Sequence, residues 1–328
     1  MKKIGKILGR IGIFVGATFV ITLAAFLVLI YMLVKGPSTQ VCNLFVTSMK
    51  ESSAGGILAD IFLTQEEVDV ILAQNSMVST GGISIELDKE QVQTPNEESN
   101  DEQPDIEIVD VHGPLYKGKM MIVKDPSRVV VGTCDVFDPN GRGLSLLEIV
   151  DKYDAVGGVN GGRFTDVWGF GKGGCPVGIV CSQGELVFGD LNTSYDVYGF
   201  DKDNNFVIGN MTGQEAIDRG IRDAVTFGPA LVVDGKPVGV GGGLNPRTAI
   251  GQRADGSVLL LVVEGRQTNS LGATFADLTN IMLEFGAINA ANLDGGMSSG
   301  MVYEGEEIST NDSNSGTRDM PTAFIVMP

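Results

Sequence analysis

The strongest constraint on this chain is an uncharged apolar run close to its start. Residues 11–34 contain no charged side chain, and as a helix they would be about 36 Å long, enough to cross a hydrocarbon core of roughly 30 Å with some tilt. Basic side chains lie mostly before the run: Lys2, Lys3, Lys6 and Arg10 precede it, and Lys35 follows closely. This asymmetry predicts a cytoplasmic N-terminus and an extracytoplasmic remainder. The length of the run and the lack of a clear small-residue cleavage site favour an uncleaved anchor over a signal peptide.

The composition narrows the class of protein further. The 45 glycines in 328 residues indicate many turns between short strands and argue against a helical bundle. The net charge of −18 argues against nucleic acid as a partner, because a protein that binds phosphate backbones needs a basic face. Part of the acidity is local, since residues 86–105 hold eight acidic side chains and one lysine.

Patterns along the chain predict five segments. They are a cytoplasmic tail (1–10), a transmembrane anchor (11–34), a juxtamembrane helical segment (35–76), an acidic flexible linker (77–105) and a domain (106–328). In the juxtamembrane segment, Thr64 and Glu67 fit a capping box. Apolar residues then recur at helical spacing, at Val68, Ile71 and Leu72. The linker loses that periodicity and is rich in polar and acidic residues, which is typical of a solvated tether.

The domain itself has the pattern of an α+β fold with more strand than helix. Helices are predicted at 144–153 and from Thr274 to a stop at Gly286. Strands are predicted at six apolar, β-branched runs, namely 129–131, 177–181, 206–208, 230–233, 258–264 and 324–327. We therefore expect a strand-rich mixed domain with a few packed helices, preceded by one N-terminal transmembrane helix.

Several familiar motifs fit poorly. The stretch 169–174 matches the dinucleotide pattern G-x-G-x-x-G, but Cys175-Pro176 follows where a helix should begin. The stretch 201–205 starts like a calcium loop, yet lacks its glycine and final glutamate and is better explained as a hairpin turn. The sole histidine, His112, lies beside Gly113-Pro114 rather than near a glycine elbow, which argues against a Ser-His-Asp hydrolase.

The four cysteines lack the paired short spacings of a zinc site. Cys175 and Cys181 enclose five residues, and in an extracytoplasmic domain they could form a short-loop disulfide. Two reduced core cysteines are the alternative, and the sequence favours neither.

Three polar segments stand out against their small or apolar surroundings. The clearest, 292–299, reads Asn-Leu-Asp-Gly-Gly-Met-Ser-Ser and ends an apolar run with a carboxylate, two glycines and two hydroxyls. Glycine pairs allow positive φ, so successive backbone N–H groups could converge on an anion beside Asp294. A hairpin turn capped by Asp and Ser is the simpler explanation. The other two segments are Asn160-Gly161-Gly162-Arg163-Phe164 and Asn245-Pro246-Arg247-Thr248-Ala249-Ile250-Gly251.

Taken in order, these segments resemble the phosphodiester glycosidase family. The similarity extends from Gly118 to the last predicted strand, and it includes Phe227-Gly228-Pro229-Ala230 and Glu264-Gly265-Arg266, where family members more often have Asp in place of Glu264. After the two glycines the family usually reads Ser-Ser-Ser-Thr, whereas this chain reads Met297-Ser298-Ser299-Gly300.

The resemblance implies roles for named residues. A glycosidase commonly uses two carboxyl groups, and Asp294 and Glu264 both end apolar strands immediately before glycine. Arginine can hold phosphate oxygens through its planar fork, although a structural salt bridge is the alternative for either arginine. The candidate catalytic residues are Asp294 and Glu264, and the candidate substrate-binding residues are Arg247, Arg266, Asn160, Gly161, Gly162, Asn292, Gly295, Gly296 and Ser298.

The resulting hypothesis is a membrane-anchored, extracytoplasmic hydrolase of a sugar-phosphate glycosidic bond. Its expected partners are a phosphorylated glycan or glycopolymer and, through the N-terminal helix, the membrane. No cofactor is expected. Two alternatives stay open, namely a non-catalytic binding protein for an anionic exopolysaccharide or wall polymer, and a metal-assisted phosphodiesterase with Asp294 and Glu264 as ligands. Sugar identity and stereochemical outcome do not follow from the sequence.

Overall fold

The computed structural model describes residues 2–52, 55–75, 104–166, 171–238, 241–309 and 317–328. The chain forms two compact units, Met1–Asn75 and Ser76–Pro328, which are described separately. The acidic linker predicted at 77–105 lies outside the described residues up to position 103. The division of the chain into five segments therefore stays a prediction.

The first unit is helical. It contains Lys2–Lys35 (α1), Thr39–Glu51 (α2), Gly56–Asp60 (α3) and Gln65–Asn75 (α4). The part of α1 from Gly9 to Lys35 is long and apolar enough to cross a membrane. Its last turns differ from the rest, because Ile30 and Val34 are buried while most preceding apolar side chains are exposed. Val34 joins a small core with Val46 of α2 and Val68 of α4.

The capping box predicted for α4 is confirmed. The backbone N–H of Thr64 donates to Glu67 Oε2 at 2.8 Å, and the backbone N–H of Glu67 donates to Thr64 Oγ1 at 3.2 Å. Val68 is fully buried, with Ile71 and Leu72 packed against the same core. Glu67 also pairs with Lys35 at 2.7 Å, which ties the end of α1 to the start of α4.

The second unit is built from three antiparallel sheets. The largest has, in spatial order, the strands Ile106–His112 (β1), Lys117–Val123 (β2), Val258–Val263 (β13), Arg247–Arg253 (β12), Ala287–Leu293 (β14), Ala230–Val233 (β10) and Lys236–Pro237 (β11). The second has Glu306–Glu307 (β16), Met301–Tyr303 (β15), Gly157–Asn160 (β4), Thr322–Val326 (β17) and Val129–Thr133 (β3). The third has Glu185–Phe188 (β6), Val180–Ser182 (β5), Ile221–Thr226 (β9), Tyr195–Asp201 (β7) and Phe206–Met211 (β8).

Three helices complete this unit: Leu146–Lys152 (α5), Gly213–Asp218 (α6) and Phe275–Glu284 (α7). The Thr274 and Asp277 side chains form a capping box at the start of α7. Leu278 and Met282 of α7 pack against one face of the largest sheet, in a cluster that includes Leu261 of β13. Alternate residues such as Leu260 face the other side and join the core shared with the two smaller sheets. Strand β13 is therefore buried on both faces.

The predicted α+β class is confirmed. The six predicted strands occur, most with shifted ends, whereas several others, among them β1, β2, β7 and β12, were not predicted. The helix predicted at 144–153 begins at Leu146 because Ser145 caps it. The strand predicted at 177–181 occurs only at Val180–Ser182, since Gly178 has a φ of +88° that breaks the extended backbone before it. Asp201 accepts from the N–H groups of Asp203 and Asn205, both at 2.9 Å, in the predicted hairpin turn. All four cysteines are buried free thiols.

A buried ion pair joins the second and third sheets. Asp223 of β9 is fully buried and accepts hydrogen bonds from the backbone N–H groups of Val131 at 2.8 Å and Gln183 at 3.0 Å. The Nε of Arg222 lies 2.7 Å from the second carboxylate oxygen, and its guanidinium also donates to the carbonyl of Val129. One carboxylate thus satisfies backbone groups in two sheets.

We predict that Asp223→Leu lowers the free energy of unfolding by about 3–5 kcal/mol, because it removes the acceptor of two backbone N–H groups and the charge partner of the mostly buried Arg222. The matched control is Asp110→Leu, which removes an exposed carboxylate paired with Lys119 at 2.7 Å and should change stability little, because water screens an exposed ion pair. Urea denaturation of the two variants measures both values. Equal losses would show that the buried pair has no special role.

Candidate active site

The ends of three strands meet at one edge of the largest sheet. Thr248 pairs with Leu293 across β12 and β14, and Arg247 pairs with Val263 across β12 and β13. Glu264 and Asp294 are the next residues along their strands, so both emerge at this edge. The two carboxylates predicted from separate motifs therefore follow the ends of β13 and β14, the two strands that flank β12.

Strand β4 of the second sheet holds the backbone of Asp294. The side-chain amide of Asn160 donates to the Asp294 carbonyl at 2.7 Å, and the Asp294 N–H donates to the Gly161 carbonyl at 3.2 Å. The side-chain oxygen of Asn160, Oδ1, accepts hydrogen bonds from the Thr248 hydroxyl at 2.6 Å and from the Gly300 N–H at 3.2 Å. Because Asn160 is fully buried and these bonds occupy its amide, it positions Asp294.

The Asp294 carboxyl group has an unusual proton affinity. The residue is only partly exposed, and burial raises the pKa of its carboxyl group to about 6. The nearby Ser298 hydroxyl, the hydrogen bond from the Gly295 N–H and the positive charge of Arg318 oppose this increase in pKa, whereas the negative charge of Asp166 adds to it. Asp294 can therefore exchange a proton near neutral pH.

The glycines of the two Asn-Gly-Gly and Asp-Gly-Gly segments serve close packing. The Gly295 N–H donates to Asp294 Oδ1 at 3.0 Å, and the Gly296 N–H donates to the Pro246 carbonyl at 2.9 Å. The expectation that these N–H groups converge on an anion is therefore wrong, since the protein itself occupies both. A Cβ at Gly161 would lie 2.6 Å from Thr322 Oγ1, and one at Gly162 would lie 2.7 Å from the Cβ of Val225.

Glu264 lies in a different environment from Asp294. Its side chain is 6% exposed and pairs with Lys117 of β2, whose Nζ lies 2.9 Å from Oε2. Its backbone carbonyl accepts from the Ser270 hydroxyl at 2.6 Å. Lys117 gives no sign of this contact in the sequence, because β2 lies far from Glu264 along the chain.

The two arginines predicted to hold phosphate are also unlike each other. Arg247 is buried, with its guanidinium 3.9 Å from the centroid of the Phe275 ring, and it donates to the carbonyls of Ala273 at 3.2 Å and Gly243 at 2.8 Å. Arg266 is exposed and donates to Asn245 Oδ1 at 3.3 Å. A Cβ at Gly296 would lie 3.3 Å from Arg266 Nη2, which places this guanidinium beside the turn that follows Asp294.

Asn292 and Ser298 are both buried. The Asn292 side-chain amide donates to the Gly228 carbonyl at 2.9 Å, which links β14 to the start of β10. Ser298 is in a 3-10 turn, Gly296–Ser298, close enough to Asp294 for its hydroxyl to lower the pKa of that carboxyl group. Ser298 therefore acts on the candidate catalytic group, whereas Asn292 supports the strand that carries it.

Two charged residues near Asp294 were not predicted from the sequence as part of the site. Arg318 Nη1 lies 2.7 Å from Asp166 Oδ2, and Arg318 Nη2 donates to the Gly171 carbonyl at 2.8 Å. Both side chains are mostly buried, at 16% and 17% exposed. Asp166 closely follows the Asn-Gly-Gly segment, and this position is a weak indication of a place in the site. Its ion pair with Arg318 forms only in the folded protein and has no signal in the sequence. The described residues contain no group of three or more His, Cys, Asp or Glu side chains placed to hold a metal ion.

Comparison with known proteins gives a consistent picture. The sequence model of the phosphodiester glycosidase family matches residues 153–327, which confirms the resemblance seen in the motifs. The SPbeta prophage-derived uncharacterized protein YomE of Bacillus subtilis strain 168 is 38% identical over 138 residues, covering 37% of this chain and 21% of that protein. The chain thus spans about a fifth of the length of that relative.

A solved structure shares the fold. It is the catalytic domain of zebrafish N-acetylglucosamine-1-phosphodiester alpha-N-acetylglucosaminidase, auto-inhibited by its pro-peptide. The TM-score is 0.57 at 21% sequence identity, and the match covers 72% of this chain and 87% of the zebrafish chain. At this level of identity the likeness establishes the architecture alone.

We predict that Asp294→Asn stabilises the protein, and increasingly so at higher pH. The folded pKa of about 6 lies above the ordinary value of 3.8, so the stability that Asp294 contributes is present below pH 3.8 and is lost as pH rises through 6. The advantage of the Asn variant should grow between pH 4 and pH 8 by on the order of 1–3 kcal/mol. Urea denaturation at several pH values measures it. A difference independent of pH would contradict the raised pKa, and Asp110→Asn is the exposed control.

Proposed function

The chain belongs to the phosphodiester glycosidase family, and we propose that it hydrolyses the bond between an anomeric carbon and a phosphate in a glycan or cell-envelope polymer. The observation that carries this proposal is Asp294, a carboxylate at a strand end with a pKa of about 6 and with arginine side chains around it. A sugar phosphodiester presents one negative phosphate and one electrophilic carbon. An ionisable carboxylate and nearby guanidinium groups suit those two features.

The chemistry proposed for Asp294 follows from the leaving group. A phosphate leaves with the electron pair of the glycosidic bond and needs less protonation than a sugar alcohol, so electrostatic stabilisation can replace much of the acid catalysis. The task that remains is attack on the anomeric carbon. Asp294 would either remove a proton from the attacking water or attack the carbon itself, and both routes need its ionised form.

Glu264 is the second proposed carboxylate, and Arg266 is the better placed of the two arginines named from sequence. Arg266 is exposed beside the turn after Asp294, so a phosphate could reach it without disturbing the core. Arg247 instead donates to two backbone carbonyls and stacks on Phe275. We therefore assign Arg247 a positioning role.

Six residues are proposed to support the substrate site without contacting the reacting atoms. They are Asn160, Gly161, Gly162, Asn292, Gly295 and Gly296. Their polar groups bond within the protein, so substitution should act by displacing Asp294. Ser298 differs, because its hydroxyl lies near Asp294 and lowers the pKa of that carboxyl group.

We also propose that α1 anchors the domain in a membrane with its N-terminus in the cytoplasm. The apolar run from residue 11 to residue 29 is largely exposed, and as a helix it measures about 28 Å, close to the roughly 30 Å of a hydrocarbon core. Ile30 and Val34 are buried among the helices that follow. The end of the apolar run, from Ile30 to Val34, thus packs against the following helices of the same unit instead of extending the exposed stretch.

We predict that Asp294→Asn lowers turnover of a sugar phosphodiester by orders of magnitude while the protein stays folded, because the amide keeps the shape but cannot act as base or nucleophile. In the wild type, kcat/KM should fall about tenfold per pH unit below pH 6, since protonation removes the active form. Release of free sugar from UDP-sugars and sugar-phosphate diesters measures both, with Asp110→Asn as the control. Full activity in Asp294→Asn would exclude the residue from the mechanism.

The anchor prediction is tested on intact cells or protoplasts. Added protease should digest residues 106–328 without disruption of the membrane, because the positive-inside rule places them outside. A cytoplasmic protein detected in the same samples controls for leakage. Protection of the domain until the membrane is broken would show that the orientation is wrong.

A further inference from the structure

We propose that Arg318, held in place by Asp166, contacts the phosphate of the substrate beside Asp294. This inference rests on the proposed function, and it assigns phosphate binding to a residue outside all the motifs recognised in the sequence. Arg318 would be a substrate-binding residue, and Asp166 a positioning residue that acts through it.

Backbone contacts tie the segments of both residues to the surroundings of Asp294. The Arg318 N–H donates to the carbonyl of Met297 at 3.3 Å, which fixes Arg318 against the turn that follows Asp294. Asp166 lies on the segment that continues from Asn160 and Gly161, and these two residues hold the Asp294 backbone at 2.7 Å and 3.2 Å. The ion pair therefore bridges the two segments that define the position of Asp294.

The side-chain contacts leave the Arg318 guanidinium oriented and accessible. It lies 4.8 Å from the centroid of the Phe164 ring, and it uses one nitrogen for Asp166 and another for the Gly171 carbonyl. With 16% of its side chain exposed, it is reached by solvent more than Arg247, which is 6% exposed. A guanidinium fixed in this way loses little conformational freedom when it binds an anion.

The charges around Asp294 explain why an acidic partner is useful. The groups that act on its carboxylate are Ser298 and Gly295 from the following turn, Arg318 from the C-terminal segment and Asp166 from the segment after β4, with Arg266 beyond Gly296. An unopposed Arg318 would draw Asp294 into a permanent ion pair. Asp166 takes up part of that positive charge, so Arg318 stays available to phosphate and Asp294 keeps a proton affinity suited to neutral pH.

The experiment compares variants of the full chain with a matched surface pair. Arg142 is paired with Asp319 at 2.6 Å and is 61% exposed, so Arg142→Gln and Arg142→Lys control for loss of an ion pair next to Arg318. For a sugar-phosphate diester, Arg318→Gln should raise KM at least tenfold and move the acidic limb of the pH profile to higher pH. Arg318→Lys should recover the position of the limb but only part of the affinity.

Asp166→Asn provides a test of opposite sign. Removing its negative charge should lower the pKa of Asp294 and move the acidic limb to lower pH, a shift that a purely structural role would not produce. Melting temperatures identify any variant that fails to fold. If Arg318→Gln does not fold, Arg318→Lys is used to test the assignment in its place. Wild-type KM and an unmoved limb in the folded Arg318 variants would overturn the assignment.

Failure of the proposed function gives a different result. If the wild type releases no sugar from any phosphodiester, calorimetric titration with glucose 1-phosphate still tests the phosphate site. Weaker binding to Arg318→Gln than to wild type and Arg142→Gln would support the assignment without catalysis. Equal binding, or no binding to any of the three proteins, would overturn it.

Discussion

The candidate site depends on the hydrogen bonds of one buried amide. Asn160 ends β4 of a five-stranded sheet, while its partners Thr248 and Asp294 belong to the start of β12 and the end of β14 in the seven-stranded sheet. A third partner, the N–H of Gly300, opens β15. Donor and acceptor are both required, so an aspartate, a leucine or an alanine at this position would each leave buried groups unpaired. The same side chain thus links the two sheets and holds the backbone of Asp294 in place.

The sequence predicted the framework better than the electrostatics. Apolar runs such as 230–233 and 258–264 correspond to strands because β-branched and leucine side chains were buried on both faces, and the Thr274 cap marked α7 through local chemistry. Strands with charged or glycine residues among their apolar ones, such as β1, β2 and β7, were not predicted. Strand β4, Gly157–Asn160, has almost no side chains to form a pattern, and its existence depends on pairing with β15 and β17.

Site residues divide in the same way. Asp294 could be found because a carboxylate between leucine and two glycines is locally anomalous, whereas Asp166, Arg318 and Lys117 look like ordinary surface charges in the sequence. Their roles come from contacts across more than a hundred residues of chain. The departure at Gly300 also has a tertiary reason. A Cβ there would lie 2.2 Å from a methyl carbon of Thr317, so the space that a threonine would occupy in the family pattern is filled from another segment.

Strand β13 has a consequence for how the chain is made. Its sequence, Val-Leu-Leu-Leu-Val-Val, is buried on both faces and pairs with β12 on one side and β2 on the other. The β2 edge emerges from the ribosome more than a hundred residues before β13 arrives to cover it. Until then the growing polypeptide carries an open strand edge at β2, and such an edge can pair with another chain. We therefore expect folding to depend on the hairpin of β12 and β13 covering β2 before that edge meets another nascent chain.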